Sequence, residues 1–249
     1  MATRDTAWSA GTPCWADLGA DVDKAREFYS ALFGWEVEQL EPVEMGYWSA
    51  KLGGRNVVGL GVQQDTSQPP SWTTYLATAD VEATAAKVVN AGGQILVEPT
   101  HVMGQGSMAI ALDPSGAVFG LWQAGEHTGF QIATEPGAVA WSENMSHDFE
   151  GNKKFYAEVF GFAYDDLSSG DFQYSAASLG GEAVAGIGGA FPEAPSSWVT
   201  YFSVEDTDEA VARIAELGGH VILPPSDSPY GRSALVSDDQ GTVFAVIAN

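Results

Sequence analysis

Asp21-Val22-Asp23-Lys24-Ala25-Arg26-Glu27-Phe28-Tyr29-Ser30-Ala31-Leu32-Phe33-Gly34-Trp35 has a second version 127 residues later, in which Asp148, Phe155-Tyr156 and Phe160-Gly161-Phe162 stand where Asp21, Phe28-Tyr29 and Phe33-Gly34-Trp35 stand first. Each version opens on an aspartate suited to capping a helix. In the first, apolar residues at Val22, Ala25, Phe28 or Tyr29 and Leu32 follow at helical spacing, and Gly34 supplies a left-handed stop. A helix of about three turns is expected in both places.

Other words repeat around this one. Trp15-Ala16-Asp17 matches Trp141-Ser142-Glu143 at an offset of 126. Ser71-Trp72-Thr73-Thr74-Tyr75 matches Ser197-Trp198-Val199-Thr200-Tyr201, and Gly92-Gly93 matches Gly218-Gly219 at the same offset. Gly116-Ala117-Val118-Phe119 matches Gly241-Thr242-Val243-Phe244 at 125. The chain is therefore a duplication. Within the first half, strands are expected over Pro13 to Leu18, Tyr47 to Leu52 and Asn56 to Val62. A second unit follows: a strand from Thr73 to Thr78, a helix from its Asp80 cap through Val89, then strands near Ile95, Met108 to Leu112 and Ala117 to Trp122. The pattern is βαβββ, four times over, an α+β fold in two tandem modules. In a βαβββ unit the helix covers one sheet face and the other needs a partner. Two units together are expected to make a cupped, barrel-like mixed sheet with helices outside and a pocket on its concave side. The boundaries expected are 1–124 for the first module, 125–136 for a connection and 137–249 for the second module.

Composition narrows the function. Of 249 residues, 33 are acidic and 10 basic, a formal charge of -23, which disfavours nucleic acid and anionic membrane surfaces as partners. Apolar residues make up 45%, enough for one large core or two modest ones. The single Cys14 cannot form an internal disulfide or a multi-cysteine zinc site, so a reducing, cytoplasmic setting is expected. Met1 to Asp5 is not followed by an apolar run, and no stretch approaches a membrane-spanning length. Both units of a cup come from one chain, so a monomer suffices and a homodimer is compatible.

The helix words with Gly92-Gly93 and Asp113-Pro114-Ser115-Gly116, each echoed in the second half, resemble the vicinal-oxygen-chelate superfamily of glyoxalase I, extradiol dioxygenases and bleomycin-resistance proteins. More narrowly, the chain is similar to two-module glyoxalase-like proteins that open each half on a Trp-x-acid word. The resemblance implies a metal site in some members, with a His on the first strand of a unit and a Glu near the end of its last. Carried over, those positions are Trp15, Gly59, Thr73 and Gly120, then Trp141, Gly186, Val199 and Ala245. None is a competent ligand, so no metal and no cofactor are expected. His101, His127, His147 and His220 are scattered, and surface or local hydrogen-bonding roles are the simpler reading for each. His147, just past a first strand, is the one that could reach a pocket mouth.

Residues two apart on a strand face the same side. Trp15 with Asp17, and Trp141 with Glu143, should therefore project together into the two cups. Alternation adds Thr73, Tyr75, Val118, Gly120 and Trp122 to the first, and Val199, Tyr201, Val243 and Ala245 to the second. Aromatic walls of this kind suit a small planar or aromatic molecule. A carboxyl desolvated beside tryptophan has a raised pKa, useful to a general acid or base. Glu143, Asp17 and His147 are the candidate catalytic residues, Glu143 first. Either acid could instead accept hydrogen bonds from loop amides or pair with Arg232 or Arg55. Three functions follow: metal-independent acid/base chemistry (isomerisation, cyclisation or hydration and dehydration) on an aromatic or carbonyl compound; sequestration of a drug-like compound without turnover; and, weakest, a metal-dependent lyase or dioxygenase.

Overall fold

The structure, a computed structural model, describes residues 2–63 and 65–249. In the first half the order is β1 (Ala2–Thr3), β2 (Pro13–Ala20), α1 (Val22–Phe33), β3 (Glu36–Gln39), β4 (Tyr47–Leu52), β5 (Arg55–Val62), β6 (Ser71–Ala77), α2 (Val81–Asn90), β7 (Gln94–Val102), β8 (Gly106–Leu112) and β9 (Val118–Ala124). After β10 (Ile132–Ala133) the second half repeats it: β11 (Val139–Ser146), α3 (Phe149–Phe160), β12 (Ala163–Asp166), β13 (Tyr174–Leu179), β14 (Glu182–Gly189), β15 (Ser197–Ser203), α4 (Thr207–Glu216), β16 (His220–Ser228), β17 (Gly231–Ser237) and β18 (Val243–Ala248). No helix among the described residues is long and apolar enough to cross a membrane.

The repeated helix words do what their chemistry requires. Asp21 caps α1 by accepting from the Asp23 and Lys24 amides, and Asp148 caps α3 by accepting from Gly151. Gly34 and Gly161 end those helices in the left-handed conformation, with φ of 74° and 81°. β3 had no strand signal in the sequence: Glu36-Val37-Glu38-Gln39 is too short and too charged to show alternation. Charge on an edge strand deters pairing with other chains, and β3 is an edge of its sheet.

Each half forms an eight-stranded mixed sheet, ordered β3-β4-β5-β2-β6-β9-β8-β7 in the first and β12-β13-β14-β11-β15-β18-β17-β16 in the second. The first strands of the two units pair antiparallel at the centre, β2 with β6 and β11 with β15, while β2 and β6 pair parallel with the last strands of their own units, β5 and β9. The sheets are cups, not closed barrels. Their convex backs meet where β6 and β15 touch, with Thr74 Oγ1 3.5 Å from Thr200 Oγ1, both fully buried.

The helices lie on those convex sides, and each packs partly against the other module. The Phe33 ring of α1 lies 5.0 Å from that of Phe202 in β15, and the Tyr156 ring of α3 lies 5.7 Å from that of Phe119 in β9. Both buried clusters draw residues from both halves. The repeated words also meet across the junction. Trp72 Nε1 donates to the Tyr29 hydroxyl, which donates to Asp238 of the other module; Trp198 Nε1 donates to Tyr156, which donates to Asp113. Asp113 also accepts from Asn144 and Asn152 through one oxygen and from Ser115 and Ala117 through the other, so a buried carboxyl is fully partnered.

The 125–136 segment is sewn onto the first module. Gly125, Glu126 and His127 bond to the carbonyls of Gly104 and Gln105, Phe130 N–H donates to Cys14, and β10 pairs with β1. Cys14 is buried, and desolvation raises its thiol pKa well above the ordinary value, which leaves it unreactive.

Candidate functional site

The first cup encloses a cavity of about 590 Å³. Its position follows from strand alternation: odd-numbered residues of β2 and β4 and even-numbered ones of β8 and β9 face the concave side. Trp15, Asp17, Tyr47, Tyr75, Met108 and Trp122 form the wall, with Ser49, Lys51 and Asn56 toward one polar region. Met45 and Met103, both exposed, line it as well. A wider groove of about 730 Å³ between α2 and β7 is open and shares none of these residues.

Asp17 sits in a cradle of phenols. Its Oδ2 accepts from the Tyr75 hydroxyl at 3.0 Å and, more loosely, from Tyr47 at 3.4 Å; Tyr47 in turn accepts from Trp15 Nε1 at 2.9 Å. Burial disfavours the charged carboxylate more than these two donors restore it, and the pKa of Asp17 is pushed up to about 7. The same surroundings and the neighbouring carboxylate hold Tyr47 and Tyr75 well above the usual phenol range, so they are fixed donors. A carboxyl poised near neutrality can take or give a proton at pH 7.

The second cup repeats the cradle. Glu143 accepts from Tyr174 at 2.6 Å and Tyr201 at 2.7 Å, Trp141 Nε1 donates to Tyr174 at 3.2 Å, and burial raises the Glu143 pKa. Here Met145, two residues past Glu143, lies against Gly188, whereas the first cup has Gly19 at the matching place. Val199 is buried directly across from Glu143, as Thr73 is across from Asp17. Phenols, not loop amides or arginines, hold both acids: Arg55 pairs with Asp5, and Arg232 with Asp208 and Asp227.

Three other candidates, Val118, Val243 and His147, are solvent-exposed. Val118 and Val243 begin their strands on the exposed surface, 40% and 43% accessible, because each follows directly on the turn before its strand. His147 is exposed, and its Nε2 lies 2.7 Å from the Ala194 carbonyl. His127, read as a surface residue of the connection, is instead a wall of the cavity: its ring meets Trp15 edge-on with centroids 4.3 Å apart. Tyr47 and Tyr174 were also missed, although they match at an offset of 127 and alternation places Tyr47 on the same face as Ser49 and Lys51.

The positions that would carry metal ligands do not fit a metal. Trp15 is an indole wall, and Gly59 and Gly120 carry no donor and have another use. Gly59 pairs with Asp17 in register, and a β-carbon there would overlap the Tyr47 hydroxyl; one at Gly120 would overlap the Tyr75 ring. Gly186 makes the same room for Tyr174. Among the described residues no group of three or more His, Cys, Asp and Glu side chains is placed to hold an ion. Gly59→Ala is therefore expected to push Tyr47 off Asp17, costing about 1–3 kcal/mol of stability. It should also raise the Asp17 pKa further by removing a donor, both readable by denaturation and by carboxyl NMR titration.

Comparison with known proteins places this arrangement. The chain is 36% identical over 247 residues to “Putative glyoxylase CFP32” of Mycobacterium bovis, covering 95% of this chain and 94% of that one. It is 33% identical over 260 residues to the anthracycline biosynthesis protein DnrV of Streptomyces peucetius, covering 97% and 94%. In fold it is similar to the Mn(II)-bound glyoxalase of Novosphingobium aromaticivorans, with a TM-score of 0.68 at 18% identity over 96% of this chain and 82% of that one. A model of the glyoxalase/bleomycin resistance protein/dioxygenase superfamily matches residues 18–121 and 145–246, once in each half. With its paired cups and duplicated helix words, the chain belongs to that superfamily.

Proposed function

We infer that the first cup binds a small planar aromatic compound bearing a carbonyl or phenol, and that Asp17 transfers a proton on it without a metal ion. The observation that carries this reading is one carboxyl, poised near neutrality by burial and two phenol donors, in the wall of a cavity faced by Trp15 and Trp122. Indole faces and three methionines suit a flat ring system: the rings stack, and thioethers adapt to its outline. A volume near 590 Å³ lies within the ordinary range for a cofactor- or drug-sized guest. The relatives named for anthracycline biosynthesis support a polycyclic aromatic substrate. Glu143 is the equivalent group of the second cup, where Met145 leaves less room, and we assign it the lesser part. We place its action in a reducing cytoplasm, as a monomer or a homodimer.

Two measurements test this. Quenching of tryptophan fluorescence by 1,8-dihydroxyanthraquinone reads binding, and proton NMR of 2-tetralone in D2O reads exchange at the carbon beside its carbonyl. Asp17→Asn is expected to slow exchange by at least about 100-fold while retaining binding, and Glu143→Gln to change it little. The wild-type rate should rise with pH through about 7, since the carboxylate is the base, and a chelator should not alter it. Binding without exchange would replace catalysis by sequestration, the second reading, for which the adaptable methionine rim speaks.

A further inference from the structure

His127 reaches the first cup from the segment joining the modules, not from a strand. Its main chain is pinned at both ends, the N–H donating to Gln105 O at 3.0 Å and the carbonyl accepting from Trp122 Nε1 at 3.0 Å. The ring is wedged between two indoles, 4.3 Å from Trp15 and 5.4 Å from Trp122 between centroids. Neither ring nitrogen has a hydrogen-bond partner among the described residues, yet the ring lines the same cavity as Asp17. The imidazole is half-buried, and its ring nitrogens are not among the sealed polar atoms of the fold, so one can bond a guest in the cavity that the ring lines. Burial also lowers its pKa to about 4, so it is neutral across the physiological range and carries one N–H to donate.

Resting on the proton-transfer reading of Asp17, we propose that His127 is the neutral donor that holds the carbonyl oxygen of the bound compound while Asp17 moves the adjacent carbon proton, so that the first cup catalyses enolisation or tautomerisation. In the forward step the Asp17 carboxylate takes the proton from the carbon beside the carbonyl. The C–H pair becomes the new C=C bond and the carbonyl π pair moves to oxygen, which accepts from the His127 N–H. The carboxylic acid then returns its proton, or one exchanged with solvent, to that carbon or a conjugated one, and the electrons flow back. Nothing is oxidised or reduced, and both side chains end as they began. A neutral imidazole is suited to this part because it stabilises the developing oxyanion without first having to lose a proton to water. The other ionisable groups facing the cavity are Glu41, Lys51, Tyr47 and Tyr75, with Glu126 next to His127 in the chain. The pH profile should therefore carry the Asp17 limb and no histidine limb between pH 5 and 8.

The test uses the full chain and 2-tetralone in D2O. His127→Phe keeps a flat ring between the indoles but has no N–H; exchange is expected to fall about 100-fold with tetralone affinity within about threefold of wild type. His127→Gln, which restores an amide donor, should recover at least about tenfold of that loss. The proposal is overturned if His127→Phe exchanges within about twofold of wild type, if it loses affinity in step with rate, or if His127→Gln recovers nothing. Asp17→Asn separates the two levels. If it stops exchange while His127→Phe does not, the donor role fails and the Asp17 reading stands. If Asp17→Asn exchanges normally, or the wild type does not exceed buffer, the underlying reading fails and the donor role with it.

Discussion

At pH 8 the Asp17→Asn protein is expected to be more stable than the wild type by about 2–4 kcal/mol, and at pH 4 to be indistinguishable from it. The folded chain holds the Asp17 proton up to about pH 7, against an ordinary value of 3.8 for an unfolded aspartate. The folded state therefore binds the extra proton between these limits, and stability contributed by Asp17 is complete below about pH 4 and lost as pH rises through 7. A shift of this size corresponds to a cost on the order of 4 kcal/mol once the group is forced to ionise in the cup. Asparagine keeps the shape and the acceptor for Tyr75 but has nothing to ionise. Thermal melts at the two pH values check this, with a rise of roughly 5–10 °C at pH 8. An equal effect at both pH values would mean that the carboxyl is ordinary and the acid/base reading has no foundation. The variant would be both the sturdier and the less active protein, as expected where a site is held in a costly electrostatic state.

The second large effect lies at the module junction. Asp113→Ala removes the acceptor shared by Tyr156, Asn144, Asn152 and the turn amides of Ser115 and Ala117. Water cannot replace it in a site that is 3% exposed. Several buried donors lose their partner together, and the expected loss is about 3–5 kcal/mol. Asp238→Ala should cost less, since among the described residues the Asp238 side chain serves only Tyr29 and the amides of Gln240 and Thr242. Chemical denaturation should show one cooperative transition for both variants, because each buried cluster contains residues of both halves. Two separated transitions would show that the modules fold independently and would remove the basis for the large value.

The repeated words were legible because they combine local and long-range requirements. Asp21 and Gly34 fix a helix by capping chemistry alone, and Trp15 with Asp17 fixes a strand face by alternation alone. Asp113-Pro114-Ser115-Gly116 was visible as a repeat, but its partner could not be named: that Asp113 serves Tyr156 of the other half is a fact of module packing that no local pattern encodes. Tyr47 was within reach, since it opens a strand that the pattern marks and matches Tyr174 at an offset of 127. His127 was not. Whether a histidine in a glycine-flanked connection faces water or a cavity depends on how Gly125 to Phe130 is tied to Gln105 and Cys14, and those are backbone bonds. The same holds for the glycines: Gly59 and Gly120 look like lost ligands until the tyrosines that need their space are seen.

The crossed packing of helices and relays limits what evolution or an engineer could do with half of this chain. Residues 137–249 expressed alone would present Phe202, Phe244 and an Asp238 that has lost its Tyr29 donor to solvent, and would have to find a twin to cover them. A half-length forerunner is then best pictured as an obligate pair, whose later fusion freed one partner's cup to acquire its own histidine from the new joint.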